Sequence, residues 1–215
     1  QTYTLALRHG CPATPGQSAS AKQPFVIPVT LGLLDDQGKA LPLQLQGHNV
    51  GTEHTLVLHQ DEQAWTFTGI TSQPTPSLLR SLSAPVLLDY PFTEAELLTL
   101  LAHDSDAFNR WEAAQRLSLR IATNAIAATA ETATEKEQNH ANLLPQSVVD
   151  ALRLVLEHPQ LDAAFKELVL TLPSEGYIAE QLDVVDPQRI HAVREAMRRQ
   201  LANALQADWA WAFDV

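Results

Sequence analysis

Apolar and polar residues alternate along the first ninety residues of the chain. In the opening stretch "QTYTLALRHG", Tyr3, Leu5 and Leu7 alternate with polar or small residues. In "PFVIPVTLGLL" an apolar residue stands at every second position from Phe25 to Leu33. A period of two is the spacing of one face of a β-strand, so both stretches predict strands with one buried face.

Turn residues separate the predicted strands. "DDQG" supplies a turn, since Asp starts turns and Gly38 can take a positive φ. "KALPLQLQ" is predicted to return as an edge strand because it contains Pro42. "TLVLHQ" and "AWTFTGI" are predicted to pair across "DEQ", with Trp65 and Phe67 on one face, and "SLLRSLSAPVLLDY" to give the last one or two strands. About seven short strands in about ninety residues are typical of an immunoglobulin-like sandwich, here one without the disulfide of antibody domains.

From residue 92 onwards, apolar residues recur at steps of three and four, which is helical spacing. Thr93 and Glu96 form a capping box ahead of "ELLTLLAH". A long helix is predicted in "SDAFNRWEAAQRLSLRIATNAIAAT", with Ser105 as its N-cap. Its apolar stripe comprises Phe108, Trp111, Ala114, Leu117, Ile121 and Ala125.

Further helices are predicted in "QSVVDALRLVLEH", "LDAAFKELVLTL" and "SEGYIAEQLDVV", and an exposed connection in the polar run "ATAETATEKEQNHAN". Asp186 and Pro187 give an N-cap followed by proline at the first helical position. The helix that starts there is expected to reach the end of the chain, because no C-capping glycine follows it. Short links favour antiparallel helix pairs stacked as an irregular solenoid.

Composition changes between the two parts. Residues 1–91 contain nine of the 13 prolines and seven of the eight glycines, with four basic and six acidic residues. Residues 92–215 contain four prolines, one glycine, ten basic and 19 acidic residues. We therefore predict two domains, a β-sandwich over 1–91 and an all-α domain over 92–215, joined near "DYPFTE".

The formal net charge of −11 argues against nucleic acid and anionic membrane surfaces as partners, because both require a basic patch. No apolar run approaches the ~18 residues of a membrane span. The opening residues show no signal-peptide pattern. Cys11 is the only cysteine, so an internal disulfide is impossible and a cytoplasmic setting is favoured.

The sequence shows no pattern of catalytic or metal-binding chemistry. A zinc hydrolase of the H-E-x-x-H type needs two histidines four residues apart, and the eight histidines include no such pair. His54 and His59 are five apart in a predicted strand, which places them on opposite faces. We interpret the histidines as surface residues. No glycine-rich loop precedes a helix, so a phosphate site has no support.

Four other features of the sequence are candidate sites. His103, Asp104 and Ser105 are consecutive, and adjacent residues rarely form a triad. Cys11 lies two residues from His9 in an extended stretch, and a nucleophile there has little support. The run "REAMRR" holds Arg194, Arg198 and Arg199, which predicts a solvated helix face, with an anion or peptide-carboxylate site as the alternative. "WAWAF" near the end predicts helical core rather than a ligand platform.

Several stretches resemble the proteobacterial aminopeptidase N family, the alanyl aminopeptidases of the M1 class. The stretches are "QTYTLALRHGCPATPGQ", "KQPFVIPVTLGLLDDQGK", "LLRSLSAPVLLDY", "DAFNRWEAAQRL" and "LDVVDPQRIHAVREA". They follow the family's order and span nearly the whole chain.

The resemblance implies a β-sandwich after a thermolysin-like catalytic domain, followed by a helical domain that encloses the active site. It implies zinc, held by the two histidines of H-E-x-x-H and a downstream glutamate, and a G-A-M-E-N loop that grips the substrate amine. None of these motifs has a matching position here, so no catalytic, substrate-binding or metal residue is assigned. We expect a section that begins after the catalytic domain, packs against it and against the remaining helical domain, and contributes spacing and enclosure to an enzyme that removes N-terminal residues from peptides.

Two alternatives stay open at this point. One is a free-standing sandwich-plus-helical adaptor that binds a peptide or protein partner. The other is a hydrolase that uses Ser105 or Cys11. If the last helix once packed on further helices, Leu201, Leu205, Trp209 and Phe213 should form an exposed apolar stripe.

Overall fold

The computed structural model describes residues 1–128 and 142–214. The chain divides into two compact units. The first unit combines Gln1–Pro91 with the short run His103–Asn109, and the second combines Phe92–Ala102 with Arg110–Val215. The chain therefore passes between the units three times, and the run His103–Asn109 belongs with the strands although it extends from the end of one helix into the first turn of the next.

The first unit is a sandwich of two antiparallel sheets, as the alternating pattern predicted. One sheet has the strand order β1-β6-β3-β4 and the other β5-β2-β7. Short 3-10 helices lie at Ala19–Ala21 and Arg80–Leu82. The strands are β1 (Thr2–Arg8), β2 (Ile27–Leu34), β3 (Gln44–Leu45), β4 (His48–Asn49), β5 (Glu53–Leu58), β6 (Glu62–Thr68) and β7 (Thr75–Leu78).

The core of the sandwich lies between the sheets. Leu5 and Phe67 come from one sheet, and Leu31, Leu33 and Leu56 from the other, and all are buried. Trp65 packs against the same cluster, so its predicted position on the face of Phe67 is confirmed. Every second residue faces inward, which is why the period of two located β1, β2 and β6.

Two predictions about the strands were wrong, one about their pairing and one about the stretch "KALPLQLQ". β5 does not pair with β6, because β5 joins β2 in one sheet and β6 joins β1 and β3 in the other. The connection between them lacks the glycine that favours a tight hairpin, and each strand has one apolar face to bury, so the chain crosses from sheet to sheet instead. "KALPLQLQ" contributes only the two residues of β3 and an isolated bridge from Ala40 to Leu34, and β3 lies between β6 and β4 instead of at the predicted edge.

The turn after β2 is confirmed. Asp35 Oδ1 accepts hydrogen bonds from the backbone N–H groups of Gln37 and Lys39, at 3.0 and 2.8 Å. Gly38 takes a φ of 76°, in the left-handed region that favours glycine. The last predicted strand region yields β7 alone, since the 3-10 helix at Arg80–Leu82 ends the extended chain.

Helices account for most of the described residues from 94 onwards. Thr93 and Glu96 form the predicted capping box: Glu96 accepts from the Thr93 N–H at 2.8 Å, and Thr93 Oγ1 accepts from the Glu96 N–H at 3.2 Å. Asp186 caps its helix, with Pro187 at the first position, as predicted. The helices are α1 (Glu94–His103), α2 (Ala107–Ala128), α3 (Gln146–Glu157), α4 (Ala163–Leu170), α5 (Glu175–Ala179), α6 (Pro187–Ala204) and α7 (Gln206–Asp214).

The apolar stripe predicted for α2 is buried in the middle of the helix, but the residues predicted at its ends are not fully buried. Ala114 and Leu117 are buried, whereas Phe108 and Trp111 are only half-buried. Polar residues share the buried face, among them Asn109 and Ser118. A polar residue with a hydrogen-bonding partner can replace an apolar one in such a stripe, and periodicity alone does not identify that exchange.

The prediction of one continuous final helix was wrong, because α6 ends at Ala204 and α7 begins at Gln206. Leu205 between them leaves helical geometry, with φ −107° and ψ 19°, and its side chain is fully buried. Arg153 on α3 donates to the carbonyl of Ala204 at 3.3 Å and to Asp208 on α7 at 3.1 Å. The side chain of Arg153, distant in sequence, therefore donates to a carbonyl at the end of α6, where a C-capping glycine was expected to be needed to end the helix.

The predicted exposed connection "ATAETATEKEQNHAN" lies almost entirely outside the described residues. Within residues 1–128 and 142–214, no helix has both the length and the apolar character that crossing a bilayer requires.

Candidate functional site

The main buried polar cluster of the first unit surrounds Arg80, which is 9% exposed. Its Nε donates to Glu53 Oε2 at 2.6 Å, and its Nη1 donates to Asp104 Oδ1 at 2.8 Å and to Ser77 Oγ at 2.9 Å. Its Nη2 donates to Ser105 Oγ at 2.7 Å. We call these five residues the Arg80 cluster.

Each part of the Arg80 cluster has a structural origin. Glu53 opens β5, Ser77 lies within β7, and Asp104 and Ser105 belong to the run 103–109. Arg80 passes close to β2 at Gly32, where a Cβ would lie 3.3 Å from Nη1 and 3.2 Å from the carbonyl oxygen of Thr52. A larger residue at that position would press on the arginine and on the neighbouring backbone.

Two further residues of the run 103–109 bind the same region of the sandwich. Asp106 Oδ2 accepts from the backbone N–H of Ser81 at 2.7 Å. The Asn109 side chain donates to Ser77 Oγ at 2.8 Å and to the carbonyl of Leu78 at 3.0 Å. These bonds explain why a segment between two helices is packed as part of the sandwich.

The two central charges have shifted proton affinities. Burial lowers the pKa of Arg80, but the hydrogen bond to Glu53 and the charges of Asp104, Glu53 and Asp106 outweigh it, so the pKa is raised overall. Burial raises the pKa of Asp104 above the usual carboxyl range. Hydrogen bonds from the Asp106 N–H and from Ser77, and the charge of Arg80, oppose that rise. Burial therefore outweighs the three neighbouring groups that favour the charged form, and the pKa of Asp104 is raised overall.

A polar cavity of about 400 Å³ lies beside the Arg80 cluster within the first unit. Glu53, Arg80, His103 and Ser105 line it, together with the backbone near Gly38. A Cβ on Gly38 would overlap the His103 ring, so the imidazole lies directly against the turn. The cavity thus contains both a cation and a carboxylate that already bind each other.

The arrangement does not activate Ser105 as a nucleophile. A serine nucleophile needs a base that takes its proton. Ser105 Oγ instead accepts a hydrogen bond from the guanidinium of Arg80, which is always protonated. The prediction that Ser105 caps α2 was also wrong. Asp106 holds that position and accepts from the Asn109 N–H at 2.9 Å, because Ser105 is drawn to Arg80.

Cys11 lies in another part of the first unit, where its half-buried Sγ is 3.3 Å from Lys22 Nζ. Lys22 also donates to the carbonyl of Pro12 at 2.7 Å, which holds the ammonium in place. His9, which lies two residues before Cys11, packs edge-on against Phe25 with 6.3 Å between the ring centroids. Cys11 Sγ therefore contacts a lysine ammonium group, which cannot accept the proton of the thiol as a general base would.

The described part of the chain contains no group of three or more His, Cys, Asp or Glu residues placed to hold a metal ion. His59 lies just beyond β5 rather than within it, so the prediction that His54 and His59 occupy one strand was wrong. His140 lies outside the described residues. His48, His59, His103 and His191 are exposed, and His9, His54 and His158 are half-buried.

The arginines of "REAMRR" already have partners. Arg198 pairs with Glu195 at 2.6 Å, and this hydrogen bond lowers the pKa of Glu195. Arg194 donates to the carbonyl of Pro173 at 2.8 Å, and Arg199 to the carbonyl of Glu195 at 3.2 Å. These contacts favour the solvated helix face over an anion site.

The apolar stripe predicted for the last helix is exposed only at its end. Leu201 and Leu205 are buried, which contradicts the prediction for these two residues. Trp209 is 38% exposed and Phe213 is 91% exposed, which confirms it for the aromatic ones. The bend at Leu205 is the physical reason, since it turns the two leucines into the helical unit.

Arg80 and Asn109 were not among the residues predicted to form a site. One signal was available: Arg80 interrupts the apolar run "SLLRSLS" in a part of the chain with only four basic residues. A charge in an otherwise buried run needs a partner. Its partners Asp104 and Ser105 lie more than twenty residues away, so spacing did not connect them.

The fold and the cluster together define a β-sandwich followed by a helical-repeat unit. Residues 94–215 match a family described as a domain of unknown function (DUF3458_C) with ARM repeats, and residues 1–91 match one described as DUF3458 with an Ig-like fold. The chain belongs to this DUF3458_C family. The predicted immunoglobulin-like sandwich and solenoid-like helices are therefore confirmed.

Similar proteins confirm the resemblance to aminopeptidase N. Aminopeptidase N of Escherichia coli (strain K12) is 40% identical over 205 residues, which are 95% of this chain and 22% of that protein. Aminopeptidase N of Haemophilus influenzae is 33% identical over 209 residues, 97% of this chain and 23% of that protein. The chain thus spans less than a quarter of the length of these relatives.

A solved structure shows the same arrangement at the level of the fold. The crystal structure of Legionella pneumophila aminopeptidase A in complex with aspartic acid matches with a TM-score of 0.71 and 25% identity. The match covers 98% of this chain and 21% of that chain. The free-standing adaptor is not favoured by these comparisons, since each of these proteins is named as a peptidase.

Proposed function

We propose that this chain is a non-catalytic section of a zinc aminopeptidase, in which it acts as a spacer and as part of the enclosure around the active site. The observation that carries the proposal is the match of 95% of the chain to 22% of Escherichia coli aminopeptidase N at 40% identity. Most of the relative's length lies outside the matched section. That remainder is where we place the zinc, the catalytic residues and the peptide-binding site.

The chemistry of the described residues supports this division. They provide no three-ligand group that fits zinc, and Ser105 accepts a hydrogen bond from a cation instead of donating to a base. We therefore assign no catalytic, substrate-binding or metal residue to this chain. Its packing partners are then the catalytic domain and the rest of the helical domain of the same protein, and its setting is the cytoplasm.

We further propose the boundary between residues 91 and 92 as the limit of two sequence domains, an immunoglobulin-like sandwich over 1–91 and a helical domain over 92–215. The family matches over 1–91 and 94–215 support it. The run 103–109 modifies this picture, because it packs with the sandwich unit although it follows the boundary.

An aminoacyl-anilide assay on the purified 215-residue chain tests the proposal, with a full-length aminopeptidase N assayed in parallel as the positive control. We expect no release of the anilide product and no stoichiometric zinc in a metal analysis of the chain. Turnover that a chelator abolishes would overturn the proposal. Turnover that resists the chelator but is lost in Ser105→Ala or Cys11→Ala would instead support the hydrolase alternative.

A further inference from the structure

Arg80 links two segments that are far apart in the sequence. Glu53 and Ser77 on the strands accept two of its hydrogen bonds, and Asp104 and Ser105 in the run 103–109 accept two more. Arg80 is 9% exposed and borders the polar cavity, so N–H groups that lose these partners are rehydrated only from that side, and the lost hydrogen bonds carry a cost. While Arg80 stays buried, both segments must stay in place.

The backbone on both sides of Arg80 is strained. Leu79, Ser81 and Leu82 have φ values of 54°, 54° and 52°, in the left-handed region that disfavours residues with a Cβ. Such a conformation persists only where surrounding contacts enforce it. Here the contacts include the bond from the Ser81 N–H to Asp106 and the bond from the Thr30 N–H to Ser83 Oγ at 3.0 Å.

Neutral groups also form hydrogen bonds between the run 103–109 and the chain leading into residues 79–83, which we call the strained loop. Asn109 donates to Ser77 and to the carbonyl of Leu78, directly before the first strained residue. Each hydrogen bond between the loop and the run would break if either segment left. None of them joins residues that are neighbours in the sequence, so all depend on the two segments being docked.

We propose that residues 79–83 and 103–109 form one local opening unit, which the Arg80 cluster locks shut. Departure of the run 103–109 removes two of the four acceptors of Arg80 and the acceptor of the Ser81 N–H. The strained residues then lose the contacts that enforce their backbone and relax. The two segments therefore open and close together, while the rest of the sandwich keeps its own strand pairing.

Native-state hydrogen exchange with mass spectrometry on the whole chain tests this lock. Ser105→Ala removes one hydrogen bond to Arg80 from a side chain at an exposed position. We expect exchange of the amides in 79–83 to become roughly tenfold faster, although Ser105 lies in the other segment. Arg80→Met should accelerate exchange in both segments by a common, larger factor. Arg116→Met, which breaks the Glu112 pair within α2, is the matched control and should leave both segments unchanged.

The outcomes separate the lock from general destabilisation. Faster exchange confined to 103–109 in Ser105→Ala would overturn the proposal, because the effect would not have crossed between segments. An equal acceleration in β2 and β5 would also overturn it, since the whole sandwich would then be opening. If Arg80→Met does not fold, the comparison of Ser105→Ala with the control still decides the question.

Discussion

The carboxylate of Asp106 serves the backbone of Ser81 and the first turn of α2 at the same time. Oδ2 accepts from the Ser81 N–H at 2.7 Å, and Oδ1 accepts from the Asn109 N–H at 2.9 Å. One oxygen thus supports a left-handed residue and the other caps a helix. Both oxygens are needed, so a substitution here has two separable effects.

Asp106→Ala should lower the free energy of unfolding by about 1.5–5 kcal/mol. About 0.5–2 kcal/mol comes from the lost cap, and about 1–3 kcal/mol from leaving the Ser81 N–H unpaired. Chemical denaturation measures this loss. Asp162→Ala is the control, because Asp162 caps α4 through a single bond to the Phe165 N–H and should cost only about 1 kcal/mol. Equal losses in the two variants would show that the bond to Ser81 contributes nothing.

Gly38→Ala should destabilise the chain more than Gly47→Ala. Both glycines have similar φ values, 76° and 80°, so both variants carry the same left-handed strain of about 1 kcal/mol. A Cβ on Gly38 also overlaps the His103 ring, whereas nothing lies within 4 Å of a Cβ on Gly47. We expect the free energies of unfolding of the two variants to differ by about 1–3 kcal/mol, which a shift between their denaturation midpoints would show. Indistinguishable midpoints would mean that His103 moves away from the turn at no cost.

Asp104 should give the chain a characteristic pH dependence. Its pKa is raised in the native state by burial, so at a pH between the unfolded and native pKa values the native chain binds more of this proton than the unfolded chain does. Between the usual carboxyl pKa of about 3.9 and the raised native value, the free energy of unfolding therefore falls as pH rises. Asp104→Asn removes this term. Urea unfolding across pH 4–7 should show wild type losing stability relative to the variant, and a constant difference would contradict the assignment.

His158 should produce the opposite slope in the helical unit. Burial, and then the charges of Arg110 and Lys166, lower its pKa, and its Nδ1 accepts from the Gln160 N–H at 3.2 Å. The stability this gives is fully present above about pH 6.5 and is lost as pH falls through the lowered native value. His158→Gln should make the melting temperature of the helical unit depend less on pH between pH 5 and 7. The same change at exposed His59 is the control, and a matching effect there would refute the role of His158.

Local patterns predicted most of the elements because each pattern depends on neighbours in the sequence. The period of two located β1, β2 and β6, and the capping box of Thr93 and Glu96 located the start of α1. The errors fell where a distant residue decided the outcome. Ser105 was expected to cap α2, but Arg80 engages it, and the end of α6 is satisfied by Arg153 rather than by a glycine.

The Arg80 cluster could not be predicted from the sequence for the same reason. Glu53, Arg80 and Asp104 are separated by more than twenty residues each, and no spacing rule relates a strand, a 3-10 helix and a loop between helices. A lone arginine in an apolar run indicates that a partner exists, without indicating which one.

The sequence by itself determined the two kinds of secondary structure, the position where one gives way to the other, and the resemblance to aminopeptidase N. These depend on periodicity, composition and local motifs, which are properties of the chain read in order. Only the tertiary structure decided which strands share a sheet, that residues 103–109 belong to the sandwich, and that Arg80 is neutralised by Glu53 and Asp104. The physical reason is that burying a charge requires partners in space, and the fold supplies them from segments that the sequence keeps apart.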